Sequence, residues 1–519
     1  MDENNKRKIQ SVINYAEETL RNSSRGKVEY IDFRNQKNRI NTNQNHIVYG
    51  RRGAGKTSLL NVLDKESSDN VKKGFSIYIN MEDYKDIELN NLILITLRKL
   101  MKSLDFKYKK YSIFSIKNNM AKSKLRVEVK TFIRQLDLKL KEPNQYDVTI
   151  RTKGTTQKTA NGEGDVTLFE KVKLGGKAAW SKDKEVEKTA SYQENKLEEL
   201  KGNIEKYKLI LNKYENIFGV EHIFLVLDDF YFIPKNNQYK FIDFFHRITK
   251  DTCLYIKIAS IKYRTKMFLE DAETYLGTQL NHDMIPIDLD CTLENFNMLM
   301  DFMREILTQI NEKFDAHFIF DHISTNGLTQ LCLASGGVPR DLLVLYSSLL
   351  NKLLINEIET IGKVEVTDAA INKFDSKVDA IKTDVHNDNM QEVEYVFEYI
   401  RNFCVNDHRC NTFLISKDEA NKMQQEHSLI RELMDLRIIH IVNTKTSCAP
   451  SDGLMYEAYM IDLGMYPNAK PKNFKQIDLT YKDEGGRKDE IRSSPKISLV
   501  SIRNYLNDKE AAITEQEVN

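Results

Sequence analysis

Eight residues near the start of the chain have the types and spacing of a phosphate-binding loop. Residues 50–57 read Gly-Arg-Arg-Gly-Ala-Gly-Lys-Thr and match the P-loop template Gly-x-x-x-x-Gly-Lys-Thr at every defined position. Glycines let such a loop turn tightly and direct its amide N–H groups at phosphate oxygens. Lys56 would reach the β- and γ-phosphates, and the Thr57 hydroxyl would bind Mg²⁺. The motif therefore predicts binding of ATP or GTP with Mg²⁺. The candidate binding residues are Gly50, Arg51, Arg52, Gly53, Ala54, Gly55, Lys56, Thr57 and Ser58.

The residues on both sides of this loop supply the context that the motif requires. Residues 46–49 form a short, mainly apolar segment, which predicts a buried strand, and residues 58–63 begin a helix. The phosphates would then lie at a helix N-terminus, where the helix dipole favours negative charge. Upstream, residues 30–34 either cover the adenine base or form a plain linker.

A pair of acidic residues follows a second predicted apolar strand, at residues 222–227. Residues 222–227 lead into Asp228 and Asp229, which is the Walker B pattern. A buried parallel strand of this kind ends beside the phosphate-binding loop, so both carboxylates are expected near the nucleotide. Asp228 would hold the Mg²⁺ shell through water, and Asp229 would orient the attacking water.

Two further segments carry polar residues that could sense the γ-phosphate. A strand predicted at 254–260 ends at Ser260 and is followed by Lys262 and Arg264; any of the three could act as the sensor. Arg264 could instead reach into a neighbouring subunit, or the three could be a surface cluster. Farther along, Pro339 suits the first turn of a helix, and Arg340 would face the nucleotide from a helical lid.

Composition limits the class of protein. The 519 residues predict about three or four domains, and 41% hydrophobic content is enough for ordinary cores. No run of 18 apolar residues exists, and the first residues lack a signal peptide, so we expect no membrane span and a cytoplasmic location. The six cysteines are scattered without a C-x-x-C pair, which argues against disulfides and zinc. The net charge of +1 implies no overall attraction to nucleic acid.

A long insertion interrupts the α/β pattern. Between residues 102 and 141 there are twelve Lys or Arg and three acids, with aromatic residues interspersed. We predict a β-hairpin next, with strands near 146–153 and 166–174 and a loose tip, followed by a polar helix over 190–217. The insertion has two interpretations. It is either a surface that binds nucleic acid or a protein partner, or a charged segment exposed to solvent without a binding role.

After the lid, three short helices and a two-stranded ribbon predict a winged helix. Beyond residue 467 we expect mostly loose structure, with docking by residues 497–502. The predicted fold class is α/β: a parallel-sheet P-loop NTPase core with an α-helical lid, a C-terminal winged helix and a hairpin-like insertion. The predicted domains are an N-terminal helix (1–29), the ATPase core (30–101 and 218–292), the insertion (102–217), the lid (293–380), the winged helix (390–466) and a polar tail (467–519).

Together, the loop at 50–57, the strand ending at Asp229, the strand ending near Ser260 and the Gly-Val-Pro-Arg run at 337–340 resemble the AAA+ and STAND group of P-loop ATPases. The layout is similar to prokaryotic origin-recognition-type initiators. The resemblance implies ATP and Mg²⁺ as cofactors, and Asp229, Lys56, Arg340 and Arg264 as catalytic residues. It implies nucleotide contacts from Ser260, Pro339 and Arg340, and metal contacts from Thr57 and Asp228.

The resemblance leaves two functions open. AAA+ machines usually have Asp-Glu where this chain has Asp228-Asp229, and the pair here is more similar to STAND proteins, which use ATP as a slow switch. The first hypothesis is an oligomerising switch or scaffold ATPase with a protein effector, as in bacterial anti-phage systems. The second is a DNA-binding initiator or loader that uses the winged helix or the basic 102–141 segment. The candidate reading helix, residues 427–437 of the winged helix, would lie in the major groove. The acids within and beside it, at 426, 432 and 435, disfavour DNA and favour the first hypothesis.

Overall fold

The computed structural model describes residues 2–20, 30–69, 74–112, 119–142, 145–154, 186–271, 274–384, 390–479 and 489–518. These form two compact units: Met1–Asp86 with Tyr214–Asn519, and Ile87–Lys213. Among the described residues, no helix is both long and apolar enough to cross a membrane. The described cysteines are all free and buried.

A five-stranded parallel sheet forms the centre of the first unit, in the order β2-β5-β6-β1-β9. The three middle strands of this order are buried along nearly their whole length, as is typical of a parallel sheet that helices cover. Their bounds are β1 (His46–Tyr49), β2 (Gly74–Asn80), β5 (His222–Asp228), β6 (Leu254–Ser260) and β9 (Ile285–Asp288). The helices that accompany the sheet are α2 (Gln36–Ile40), α3 (Lys56–Asp69) and α8 (Lys235–Thr249). A small hairpin of β7 (Phe268–Asp271) and β8 (Thr274–Gly277), which the sequence did not predict, follows β6.

A helical lid follows the sheet, as predicted. Its helices are α9 (Phe296–Lys313), α10 (Thr325–Ala334), α11 (Pro339–Leu354), α12 (Lys363–Lys373) and α13 (Asp375–Asp384). The N-terminal helix α1 (Glu3–Leu20) packs on α11 and buries Ile9, Val12, Ile13 and Ala16 in the lid core. This helix is therefore part of the lid packing although it is far from the lid in sequence.

The winged helix contains α14 (Met390–Arg401), α15 (Lys417–Lys422) and α16 (Gln424–Asp435). Its sheet has four strands in the order β11-β12-β10-β13, not the predicted two. They are β10 (Thr412–Ser416), β11 (Ile439–Ser447), β12 (Met455–Ile461) and β13 (Lys496–Ile497). β10 was missed because its three apolar residues, Phe413, Leu414 and Ile415, are too short a run to stand out as a strand.

In the C-terminal segment, residues 489–518 contain two helices and a strand, contrary to the expectation of mostly loose structure. They form α17 (Asp489–Arg492), β13 and the long helix α18 (Leu499–Val518). β13 pairs in parallel with β10, and Ile497, Leu499 and Ile502 are buried in the core shared by lid and winged helix. This agrees with the predicted docking of residues 497–502. Burial of these three side chains is the reason that a polar segment becomes ordered.

The second unit contains α4 (Leu89–Ser112), α5 (Asn119–Lys139), β3 (Gln145–Gly154), β4 (Val186–Asn195), α6 (Lys196–Gly202) and the first part of α7 (Ile204–Phe218). β3 pairs antiparallel with β4, so the predicted hairpin is present with a different return strand. The prediction of helix from residue 190 was wrong, because residues 190–195 belong to β4. The predicted strand at 166–174 and the hairpin tip lie outside the described residues.

Candidate functional site

The phosphate-binding loop joins β1 to α3, as its sequence predicts. Gly53 and Gly55 have φ of 89° and 96°, in the left-handed region that favours glycine. A Cβ atom on Gly53 would lie 2.5 Å from the Cβ of Arg340, the second residue of lid helix α11. The backbone N–H of Arg340 donates to the Gly53 carbonyl at 3.4 Å. Glycine at position 53 therefore lets the lid lie directly on the loop.

Lys56 is the first residue of α3 and is almost fully buried. Its ammonium donates to the carbonyl oxygens of Gly50 at 2.8 Å and Arg51 at 3.2 Å, both in its own loop. Burial lowers the pKa of Lys56, and the nearby carboxylates of Asp229 and Asp228 oppose that shift. A cation in this position is available to a phosphate that enters the loop.

Asp228 ends β5 and is buried. The Tyr78 hydroxyl, from the neighbouring strand β2, donates to Oδ2 of Asp228, and the Asp229 backbone N–H donates to Oδ1 at 2.9 Å. These two bonds fix the orientation of the carboxylate. Its remaining lone pairs are available for a water or a metal ion.

Asp229 follows in the left-handed conformation, with φ of 51°. Burial and the adjacent Asp228 raise its pKa to about 7, while Lys56 acts in the opposite direction. A carboxyl group with a pKa near neutrality has the acidity that suits a general base.

Glu82 is a site residue that the sequence reading missed. It follows β2 in a short 3₁₀ turn, where the Met81 N–H donates to the Asp228 carbonyl at 2.9 Å. Its charge helps to raise the pKa of Asp229. Strands β2 and β5 are parallel neighbours, so polar residues after both strands meet at one edge of the sheet. The same rule, applied to the residues that follow β2, would have identified Glu82.

Core and lid together enclose a cavity of about 740 Å³. That volume lies within the range of small-molecule sites. The predicted residues that line it are Arg52, Gly53, Ala54, Gly55, Lys56, Thr57, Ser58, Asp229, Pro339 and Arg340. Arg340 is partly buried there, and burial together with Arg437 and Arg52 lowers its pKa. Cationic groups from two domains thus face the same space as the Asp229 carboxylate.

The opposite wall of the cavity comes from segments with no motif. Tyr15, Thr19 and Leu20 of α1 line it together with a face of α9 that includes Phe302 and Gln309. Tyr30 and Ile31 also line it, which favours the base-covering interpretation of residues 30–34 over a plain linker. A Cβ on Gly55 would lie 3.7 Å from a Tyr30 ring carbon, so the ring lies over the loop.

The donor set fits Mg²⁺ bound together with phosphates. No group of three or more His, Cys, Asp or Glu that could hold a metal is present in the described part of the chain. Mg²⁺ is usually held by one or two protein oxygens plus substrate phosphates and water, so a complete protein cage is not required. Thr57, which lines the cavity, and Asp228 are the residues that would hold it.

Six predicted residues do not line this cavity: Asp228, Lys262 and the four described next. The Gly50 carbonyl accepts from Lys56, and Arg51 is directed away from the cavity. The Ser260 hydroxyl is buried at 2.6 Å from the Thr265 hydroxyl. Arg264 is buried beside the α16 residue Asp435; burial raises the pKa of Asp435, and Arg264 acts in the opposite direction. The structure therefore offers neither Ser260 nor Arg264 to this space, and Arg264 is not exposed to a neighbouring subunit.

The candidate reading helix α16 packs against the core turn at residues 262–264. Seven of its twelve residues are buried. Arg431 stacks on the Tyr263 ring at 4.8 Å, and Arg437, just after the helix, donates to Asp341 of the lid at 2.7 Å. Both arginines that could contact DNA phosphates are thus engaged within the molecule.

Comparison with known proteins gives only distant similarity. No protein-family model matches the chain, and no curated protein matches it. Among solved structures, the chain is similar to the Aeropyrum pernix ORC1 protein in complex with DNA, with 12% identity, a TM-score of 0.35 and coverage of 85% of this chain and 92% of that one. Drosophila ORC bound to DNA has 10% identity and a TM-score of 0.33, with coverage of 88% of this chain and 90% of that one. The Walker-type ATPase of Pyrococcus abyssi has 13% identity and a TM-score of 0.38, with coverage of 83% of this chain and 94% of that one. Similarity at this level assigns neither a family nor a function.

Proposed function

We propose that the protein binds ATP with Mg²⁺ in the cavity between core and lid and hydrolyses it slowly. The observation that carries the proposal is the convergence of Lys56, Thr57 and Asp229 from the core and Arg340 from the lid on one cavity of about 740 Å³. Those are the cationic, hydroxyl and carboxylate groups that phosphoryl transfer requires.

The proposed division of roles follows from the positions of the groups. The loop amides and Lys56 bind the phosphates, and Asp229 accepts a proton from the attacking water. Arg340 stabilises the charge that develops on the γ-phosphate oxygens. Mg²⁺ held at Thr57 and Asp228 would neutralise charge on the β- and γ-phosphates. Pro339 and Tyr30 also line the cavity.

We further propose that ATP serves as a switch. The lid N–H that bonds to Gly53 and the lid arginine in the cavity make lid position depend on what the loop holds. Because the lid and the winged helix share one apolar core, that dependence extends to the winged helix. Association of subunits, a protein effector and a role in anti-phage defence, which the sequence resemblance implies, stay predictions.

The alternative is a DNA-binding initiator or loader. The engagement of Arg431 and Arg437 inside the molecule supports a structural or protein-binding winged helix instead. In the second unit, the basic stretch is also partly neutralised. Two of its cations are paired with acids: Arg126 with Asp105, and Lys139 with Glu199. Lys124, Lys130 and Arg134 remain exposed on α5 and are the best remaining nucleic-acid candidates.

The test is equilibrium binding of a fluorescent ATP analogue with Mg²⁺. Wild type should bind, and Lys56→Ala should lose binding by at least about a hundredfold, since it removes a charge-assisted contact to phosphate. Lys65→Ala, which removes another lysine of the cavity wall outside the motif, is the matched control and should bind within a fewfold of wild type. Equal affinity of wild type and Lys56→Ala would refute the proposed site.

A further inference from the structure

Arg51, the second residue of the phosphate-binding loop, lies where the core, the lid and the winged helix meet. Its guanidinium donates to the carbonyls of Gly336 at 2.8 Å and Cys291 at 3.2 Å. Its Nη1 lies 3.4 Å from Nδ1 of His440, in strand β11 of the winged helix. Asp290 accepts from its backbone N–H at 2.9 Å and from Nε at 3.3 Å. One buried side chain thus joins the loop to two other domains.

The lid turn before α11 is shaped around the same histidine. Gly336 has φ of 55°, and a Cβ there would lie 2.1 Å from Cε1 of His440. Any larger residue would displace the imidazole. The absence of a side chain at position 336 therefore lets the ring reach Arg51 while the Gly336 carbonyl accepts from the same guanidinium.

The contact with Arg51 determines which tautomer the His440 imidazole adopts. A guanidinium can only donate, so Nδ1 of His440 must be the acceptor. Nε2 then carries the proton and donates to Oδ2 of Asp462 at 3.0 Å. Burial lowers the pKa of His440, which agrees with a neutral ring. Asp462 holds the tautomer that can accept from Arg51.

A second connection runs from the same carboxylate to the lid. Lys377 donates to Asp462 at 2.6 Å and lies 3.2 Å from Asp341, the residue after Arg340. The winged helix is therefore connected to both the phosphate-binding loop and the start of the lid helix through buried polar and charged groups.

The arrangement of apolar cores gives these polar contacts their importance. One cluster of buried residues combines α1, the lid and the winged helix, whereas a different cluster, including Val48 and Leu59, lies against the central sheet. Lid and winged helix thus form one packed body beside the core. Arg51 and its partners lie where that body meets the loop.

From this geometry we infer that His440 is a positioning residue of the nucleotide site. It acts through Arg51 to hold the loop in its phosphate-binding shape, and it couples the winged helix to nucleotide affinity. The inference rests on the proposed function. Because coupling between two sites is reciprocal, nucleotide binding must in turn stabilise the winged-helix end of the contact.

Two near-isosteric substitutions separate the two ring nitrogens. His440→Asn keeps an acceptor at the position of Nδ1 and loses the donor to Asp462. His440→Gln keeps a donor at the position of Nε2 and loses the acceptor for Arg51. We expect His440→Gln to weaken ATP-analogue binding by about three- to tenfold, which corresponds to one hydrogen bond, and His440→Asn to stay close to wild type.

The matched control is His427→Asn. His427 is buried in the same domain and bonds a carboxylate, Glu457, at 3.0 Å, but has no contact with Arg51 among the described interactions. It should damage the winged helix comparably and leave nucleotide affinity unchanged. If His440→Gln binds as tightly as this control, or if His440→Asn is as weak as His440→Gln, the inference is wrong.

A measurement that needs no substitution at His440 decides the matter if the His440 variants do not fold. Hydrogen–deuterium exchange of residues 438–441 should slow when ATP is added to wild type and stay constant in Lys56→Ala. If wild type binds ATP and the exchange does not change, the inference is wrong and the proposed function still stands. A wild type that binds no ATP would instead remove the proposed function on which it rests.

Discussion

At the scale of single residues, the site contains two carboxylates that could accept a proton from water. Asp229 was predicted from its motif, and its raised pKa of about 7 suits a general base. Glu82 lines the same cavity on the adjacent strand end. The motif alone cannot decide between them, because both follow parallel strands that end at the same edge.

We predict that Asp229→Asn keeps ATP binding and lowers turnover by about a hundredfold or more, the usual effect of removing a general base. Glu82→Gln, assayed in parallel, should retain most of its turnover. Steady-state phosphate release and analogue binding measure the two properties separately. Normal turnover in Asp229→Asn with loss in Glu82→Gln would transfer the role to Glu82.

Asp435 in α16 carries a prediction about stability. Burial raises its pKa to about 7, with Arg264 acting in the opposite direction, and none of the described residues forms a hydrogen bond with its Oδ2. The folded protein therefore keeps a proton that the unfolded chain loses near pH 4. The associated stabilisation is complete below pH 4 and is lost as the pH rises towards 7.

Asp435→Asn removes that pH dependence. Relative to wild type, the variant should gain stability between pH 5 and pH 8, by no more than about 4 kcal/mol for a shift of this size. Thermal melts at the two pH values measure it. Asp301→Asn, an exposed aspartate of α9, is the control. A difference between Asp435→Asn and wild type that does not change with pH would contradict the prediction.

At the scale of elements, the sequence predicted those parts of the site that lie within one strand, loop or helix start. The loop at 50–57, Asp228 at the end of β5 and Pro339 at the start of α11 are local patterns, and the structure has the corresponding elements there. The cavity wall from α1 and the contact between Arg51 and His440 join segments hundreds of residues apart. No periodicity or spacing encodes such a contact, so the structure was needed to find them.

The hairpin of β3 and β4 is an element that the nucleotide site should not require. Lys196, just after β4, donates to the carbonyl of Glu142, just before β3, at 2.7 Å. The two ends of the excursion are therefore close enough for a short linker. We predict that replacing residues 143–195 with a Gly-Ser linker leaves ATP-analogue affinity within about twofold of wild type. Loss of soluble protein would show that the hairpin contributes to folding.

At the scale of the whole molecule, two compact apolar clusters meet at a polar junction in the first unit. Such a junction can be rearranged at lower cost than an apolar core, because each polar contact contributes only about 0.5–1.5 kcal/mol net. An ATP-dependent movement of the lid and winged helix as one body is therefore the expected conformational change. It would alter the surfaces available to other subunits without unfolding either core.

The switch and the initiator hypotheses differ in what that change exposes. For the switch, the particle mass measured by light scattering should increase with ATP and Mg²⁺ but not with ADP, and Lys56→Ala should stay at the low mass.

DNA binding separates the two hypotheses further. The switch should bind DNA weakly, and the triple variant Lys124→Ala, Lys130→Ala, Arg134→Ala should not alter that affinity. If release of α16 created the DNA surface instead, ATP would strengthen DNA binding, and Arg431→Ala would weaken it with a reduced salt dependence, since one phosphate contact is lost. Tight, ATP-dependent DNA binding at an unchanged mass would replace the switch with the initiator.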